Sequence, residues 1–110
     1  MKNNLNTDVL WFNHRKKSVH PEEVVYLQSY DNYTKFYLSS GKNFLASHTM
    51  KSYEKLLSDK GNFSRINRGV LVNLNYLTSI KKTEEGNIAL LSTGEKFEVS
   101  RRKMRNIELN

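Results

Sequence analysis

Phe63-Ser64-Arg65-Ile66-Asn67-Arg68-Gly69-Val70-Leu71-Val72-Asn73-Leu74 alternates aromatic or aliphatic residues with cations and amides, then becomes wholly apolar. Such alternation belongs to a strand or turn whose two sides meet different surroundings. Phe63, Ile66, Val70 and Val72 can pin the segment to a core, which leaves Arg65, Asn67 and Arg68 on a fixed backbone facing water. Arg65 and Arg68 then read either as solvated charges beside a strand or as binding groups. Arginine favours the second reading more than lysine would, because its planar fork suits bidentate contacts to phosphate or guanine edges. Gly69 follows directly, where a missing Cβ would permit positive φ or close approach of the backbone to a ligand.

Around this stretch lie 110 residues in all, enough for one domain with a real core and too few for a second independent module. The net charge of +7 is unevenly spread: residues 1–59 carry eight Lys and Arg against six acids, residues 60–110 ten against five. The C-terminal half is therefore the candidate polyanion face. Cysteine is absent, which excludes disulfides and thiolate metal sites and suits a reducing compartment. No run approaches the roughly 18 apolar residues of a membrane-spanning helix, and residues 1–7 are too polar for a signal peptide. A cytoplasmic, ordered protein is expected, with 11% aromatic residues supporting a globular core.

Residues 1–8 lack periodicity and read as a flexible tail or the end of a linker, with the domain over 9–110. Val9-Leu10-Trp11-Phe12 fits a first strand, His14-Arg15-Lys16-Lys17-Ser18 a basic turn, and Val19 the return. Pro21-Glu22-Glu23 fits a very short helix, since proline suits the first helical position and acids suit the positive helix end. Val24 to Tyr30 then places Val25 and Leu27 on one strand face. Thr34 to Leu38 does the same for Phe36 and Leu38, with Asp31-Asn32 as the tight turn between. Tyr33, Lys35 and Tyr37 share the opposite face, where they could hold nucleic acid or pack across strands.

Leu38-Ser39-Ser40-Gly41-Lys42-Asn43-Phe44 is echoed by Leu91-Ser92-Thr93-Gly94-Glu95-Lys96-Phe97, which suggests two similar hairpins in separate sheets. Between them Thr49 reads as an N-cap, Met50, Tyr53, Leu56 and Leu57 as one helical face, and Gly61-Asn62 as a left-handed stop. Strands through Leu77–Lys81, Ile88–Leu91 and Phe97–Val99 complete a mainly β domain. Ser100 caps a short terminal helix over Arg101, Arg102, Lys103, Met104, Arg105 and Ile107. Three cations in its first turn oppose the helix dipole, a conflict that a bound anion would relieve.

No constellation for catalysis is present. His14, His20 and His48 are scattered without acidic or thiolate partners at ligand spacing, and no nucleophile or phosphate-cradling motif occurs. No enzyme activity, cofactor, metal, membrane or small-molecule substrate is expected. Duplex DNA binding is the leading reading. A single-stranded nucleic acid or RNA module and a basic protein-interaction module are the alternatives.

Taken together, Val25-Tyr26-Leu27-Gln28 with Asn32-Tyr33, Leu56-Leu57, Phe63 to Arg68, Val72-Asn73 and Val99-Ser100-Arg101-Arg102 resemble the LytTR-type DNA-binding domain of bacterial transcription regulators. The resemblance implies a compact antiparallel β domain in three small sheets, with one short helix between them and a short C-terminal helix. It also implies that strand-end loops, not a recognition helix, enter two successive major grooves and touch the minor groove between. Carried over, the contacting positions are Asn32, Arg68 and Arg102. Tyr33 and Asn67 are further DNA-binding candidates, and Lys35, Arg65, Arg101, Lys103 and Arg105 are expected to neutralise phosphates. Two copies on adjacent half-sites of double-stranded DNA are implied as well. The family usually has His-Arg-Ser where this chain has Asn67-Arg68-Gly69. Similar domains commonly follow a receiver domain, so the chain is expected to be either a stand-alone regulator or a domain cut from a longer one.

Overall fold

The computed structural model describes residues 9–104. The expected tail at 1–8, Arg105 and Ile107 lie outside the described residues. Within them, ten strands and two α-helices follow one another. These are β1 (Leu10–Phe12), β2 (Lys17–Val19), β3 (Val24–Tyr30), β4 (Tyr33–Leu38), β5 (Asn43–Ala46), α1 (Met50–Leu57), β6 (Phe63–Asn67), β7 (Val70–Asn73), β8 (Leu77–Thr83), β9 (Gly86–Leu91), β10 (Lys96–Val99) and α2 (Arg101–Met104). They form three antiparallel sheets, β1-β2, β10-β9-β8 and β5-β4-β3-β7-β6. The fold is thus the mainly β, three-sheet arrangement with one helix between strands and one at the end. Among the described residues no helix is long and apolar enough to cross a membrane.

The five-stranded sheet is the middle layer. On one face Val24, Leu27, Phe36, Ala46 and Leu71 pack against Leu10 and Val19 of the first hairpin and against Met50, Tyr53 and Leu57 of α1. On the other, Val25, Tyr26, Ile66, Val70 and Val72 pack against Ala89, Leu91 and Val99 of the three-stranded sheet. β3 serves both cores through a bulge: Val24 lies opposite Leu38 and Tyr26 opposite Tyr37, which leaves Val25 as the extra residue. Val25 and Leu27, expected on one face, therefore sit in different cores. Tyr26 stacks on Tyr37 with ring centroids 4.2 Å apart. Burial, with Tyr37 and Glu95 adding to it, pushes the Tyr26 phenol up to about 12.

Two expectations about α1 are corrected. Leu56 is 44% exposed, because it stands about 100° round the helix from buried Leu57 and the apolar stripe is too narrow to include both. Gly61 is not a left-handed stop. The helix instead closes in right-handed backbone at Ser58, whose N–H donates to Glu54 O at 3.0 Å and whose Oγ donates to Lys55 O at 2.8 Å. Those bonds satisfy terminal carbonyls without help from a glycine. Thr49 does occupy the N-cap, but its side chain accepts no capping N–H; its Oγ1 lies 3.4 Å from Ser52 Oγ.

The echoed motif builds the same turn twice, once in the middle sheet and once in the three-stranded one. Gly41 N–H donates to Leu38 O and Gly94 N–H to Leu91 O, each at 2.9 Å. Both glycines hold positive φ, 94° and 105°, which accounts for a glycine at the same place in each copy.

Leu74–Tyr76 form a 3-10 turn that the apolar run conceals. Asn73 closes it from a buried position: its Oδ1 accepts Asn75 N–H at 3.0 Å and its Nδ2 donates to Val24 O at 3.0 Å. One amide thus joins the end of β7 to the start of β3. Replacing Asn73 by Ala leaves a buried carbonyl unpaired and should cost roughly 1–3 kcal/mol in urea unfolding. Asn75→Ala, which keeps the backbone N–H, should stay within about 0.5 kcal/mol.

Candidate nucleic-acid interface

Antiparallel pairing sends the end of β3, the start of β4, the end of β6 and the start of β7 to the same end of the middle sheet. The Asp31-Asn32 and Arg68-Gly69 turns are therefore neighbours. Ser29 N–H donates to Gly69 O at 2.9 Å and fastens one to the other. The start of α2 is drawn to the same place, because Ser100 N–H donates to Ile66 O at 2.9 Å. Asn67 Nδ2 adds a bond of 2.7 Å to Glu98 O. Arg68 and Arg102 each lie two residues along the chain from one partner of the Ile66–Ser100 bond.

Internal side-chain hydrogen bonding separates the expected site residues into two groups. Asn32, Arg68, Arg101 and Arg102 are exposed, Tyr33 is half exposed, and Lys103 is partly buried. Among the described residues the side chains of Arg68, Arg101, Arg102 and Lys103 make no ion pair or hydrogen bond, so their charges stay available. Lys35 is partly buried on the tyrosine face, its ammonium 5.4 Å from the Tyr37 ring centre and 5.9 Å from that of Tyr30. Cation–π contact and cross-strand packing both operate there.

Arg65 and Asn67 form the second group, turned inward where the alternation placed them toward water. Arg65 Nη1 donates to Glu54 Oε1 at 2.7 Å and its Nη2 to Arg68 O at 2.5 Å. One guanidinium thereby braces the Arg68 turn against α1. Asn67 Oδ1 accepts Gly69 N–H at 2.8 Å while its Nδ2 holds Glu98 O, so the amide is used at both ends. Gly69 lies outside the left-handed region, and a Cβ there would meet Asn67 Oδ1 at an ordinary 3.9 Å. The positive φ allowed for it is not used. Glu54 and Glu98, which position this end, escaped the sequence because no short-range spacing links them to Arg65 and Asn67.

The described part of α2 is a single turn capped by Ser100, whose Oγ accepts Lys103 N–H at 3.2 Å. It carries a cluster of free basic groups beside two exposed turns.

A family model of the LytTr DNA-binding domain matches residues 14–109. The chain belongs to the LytTR family of DNA-binding domains. Among solved structures this LytTR domain is similar to the LytTr DNA-binding domain of a methyl-accepting/DNA response regulator from Bacillus cereus. The TM-score is 0.74 at 22% identity, over 90% of this chain and 92% of that one. At that identity the likeness speaks for the fold. No curated protein matches the chain.

Within the LytTR fold, Arg65 and Arg68 should behave differently when truncated. Arg65→Ala strips Glu54 and the Arg68 carbonyl of a partner and should cost about 1–3 kcal/mol. Arg68→Ala, at an exposed position, should fall within about 0.5 kcal/mol. Urea denaturation of the two variants makes the comparison.

Proposed function

We propose that this LytTR domain binds double-stranded DNA sequence-specifically through its strand-end turns, in the service of bacterial transcription regulation in the cytoplasm. The observation that supports it is the gathering of the Asn32 turn, the Arg68 turn and the Arg101-Arg102-Lys103 cluster at one sheet end. Arg68 and Arg102 take base edges, where a guanidinium fork matches guanine O6 and N7. Asn32 and Tyr33 flank them at the β3-β4 turn. Lys35, Arg101 and Lys103 neutralise phosphates, which sets affinity and salt dependence without carrying sequence information. Arg105 joins that group by its place in the basic run. Arg65 and Asn67 position the Arg68 turn and contribute through it.

Two copies bind adjacent half-sites, about one helical turn apart, so that equivalent turns meet the same face of the duplex. A single-strand stacking platform is disfavoured by Tyr37, whose ring is already taken by Tyr26 at 4.2 Å.

Selection from a random duplex library, followed by footprinting, yields the operator and the number of copies on it. On that operator Arg68→Ala and Arg102→Ala should each lose ~1–3 kcal/mol and on a scrambled duplex far less. Lys103→Ala should lower the salt slope by about one on both DNAs. Equal, small losses of the two arginine variants on cognate and scrambled duplexes would sink the assignment.

A further inference from the structure

A groove of about 670 Å³ opens between the β1-β2 turn, β5 and α1, and DNA binding gives it no task. Trp11, Leu45 and Leu56 line it while 40%, 53% and 44% exposed. They are three of the five large apolar side chains left exposed among the described residues; the other two, Tyr30 and Tyr33, flank the Asp31-Asn32 turn. Apolar exposure gathered in one place marks an interaction surface more than scattered residues would.

The groove is also cationic. Arg15 and Lys17 line it with His14, and among the described residues no Asp or Glu does. The Arg15 guanidinium stands 4.6 Å from the Trp11 ring centre and the Lys17 ammonium 3.7 Å from that of Phe44. These cations rest on aromatic faces, and among the described residues no carboxylate pairs with them. The turn presenting them holds three consecutive non-glycine residues in the left-handed region: Asn13 at φ 52°, His14 at 56° and Arg15 at 70°. Such backbone is costly and clusters at binding sites.

The strand edge beside the groove is bare. β5 pairs only with β4, and among the described residues its outer edge has no backbone partner. The opposite edge, β6, is engaged by the C-terminal segment through Ile66 O and Ser100 N–H. β5 carries neither the lysine nor the proline that commonly protects an edge, and it exposes Leu45.

We propose that this groove receives an extended segment of a partner protein, with alternating apolar and acidic residues, added as a further strand on β5. Backbone groups of β5 pair with the segment, its apolar side chains cover Trp11 and Leu56, and its carboxylates meet Arg15 and Lys17. Nucleic acid fits less well: the aliphatic Leu45, Ala46 and Leu56 offer no stacking platform, and bare strand carbonyls repel phosphate. The proposal stands apart from the DNA reading, and its main readout is peptide binding at β5.

The full chain, labelled with ¹⁵N, is titrated with a synthetic peptide of alternating Val and Glu, and separately with one of alternating Val and Lys. The acidic peptide should slow hydrogen exchange at β5 amides and shift the fluorescence of Trp11, the one tryptophan of the chain. Arg15→Glu and Leu45→Lys, both at exposed positions, should each weaken it roughly tenfold while affinity for the selected operator duplex stays unchanged. Unchanged exchange at β5, an equal response to the basic peptide, or variants that bind like the parent would overturn the proposal. So would a Trp11 shift produced by duplex DNA and not by the acidic peptide, which would assign the groove to nucleic acid.

Discussion

One extra residue in β3, Val25, is the constraint from which the rest of the molecule is assembled. The run Val24-Val25-Tyr26-Leu27 is apolar throughout, and a regular strand would send Val24 with Tyr26 to one side and Val25 with Leu27 to the other. The bulge shifts this, so that Val24 and Leu27 enter the helix-side core while Val25 and Tyr26 enter the core under the three-stranded sheet. A single strand thereby holds two layers together. Because β7 pairs with β3 and β6 with β7, the same strand also decides where the Arg68 turn must lie.

From that placement follows how the exposed cations are steadied. Loops bearing long side chains lose conformational entropy when they meet a ligand, and prior fixation of the backbone reduces that loss. Here the fixation comes from polar side chains and one backbone N–H spent inside the protein. Arg65 ties the Arg68 carbonyl to α1, Asn67 ties its own turn to β10, and Ser29 ties Gly69 to β3. The cost is visible at Arg65, whose buried Nε has no partner. An unpaired donor of this kind is tolerable when two strong bonds are made by the same guanidinium.

Where a pattern depends on neighbours in the chain, the sequence was legible. Tyr33, Lys35 and Tyr37 against Thr34 and Phe36 follow simple alternation, and the two Leu-Ser-Ser/Thr-Gly turns follow from a positive φ that glycine meets without strain. Misreadings arose where distant partners intervened. Alternation gives Arg65 and Asn67 the correct strand but not their direction, since Glu54 and Glu98 come from other elements. Leu56 and Gly61 were misjudged because a short helix covers only the edge of a core and ends where Ser58 can close it. For the exposed cations of the candidate interface the basic runs were visible in the sequence. Their convergence was not, because it depends on the Ile66–Ser100 bond between residues 34 positions apart.

The two edges of the middle sheet are treated in opposite ways, and the difference separates two kinds of surface. At the β6 edge, backbone and amide groups are consumed in holding the basic C-terminal segment beside the Asn32 and Arg68 turns, where the Arg68, Arg101 and Arg102 side chains are exposed. At the β5 edge no backbone group is consumed among the described residues, and what faces outward is peptide backbone bordered by indole and aliphatic carbon. Phosphate has good reason to prefer the first and a protein strand the second. One sheet, asymmetrically finished, therefore keeps its basic end and its unpaired edge apart, so that a ligand on one leaves the other open.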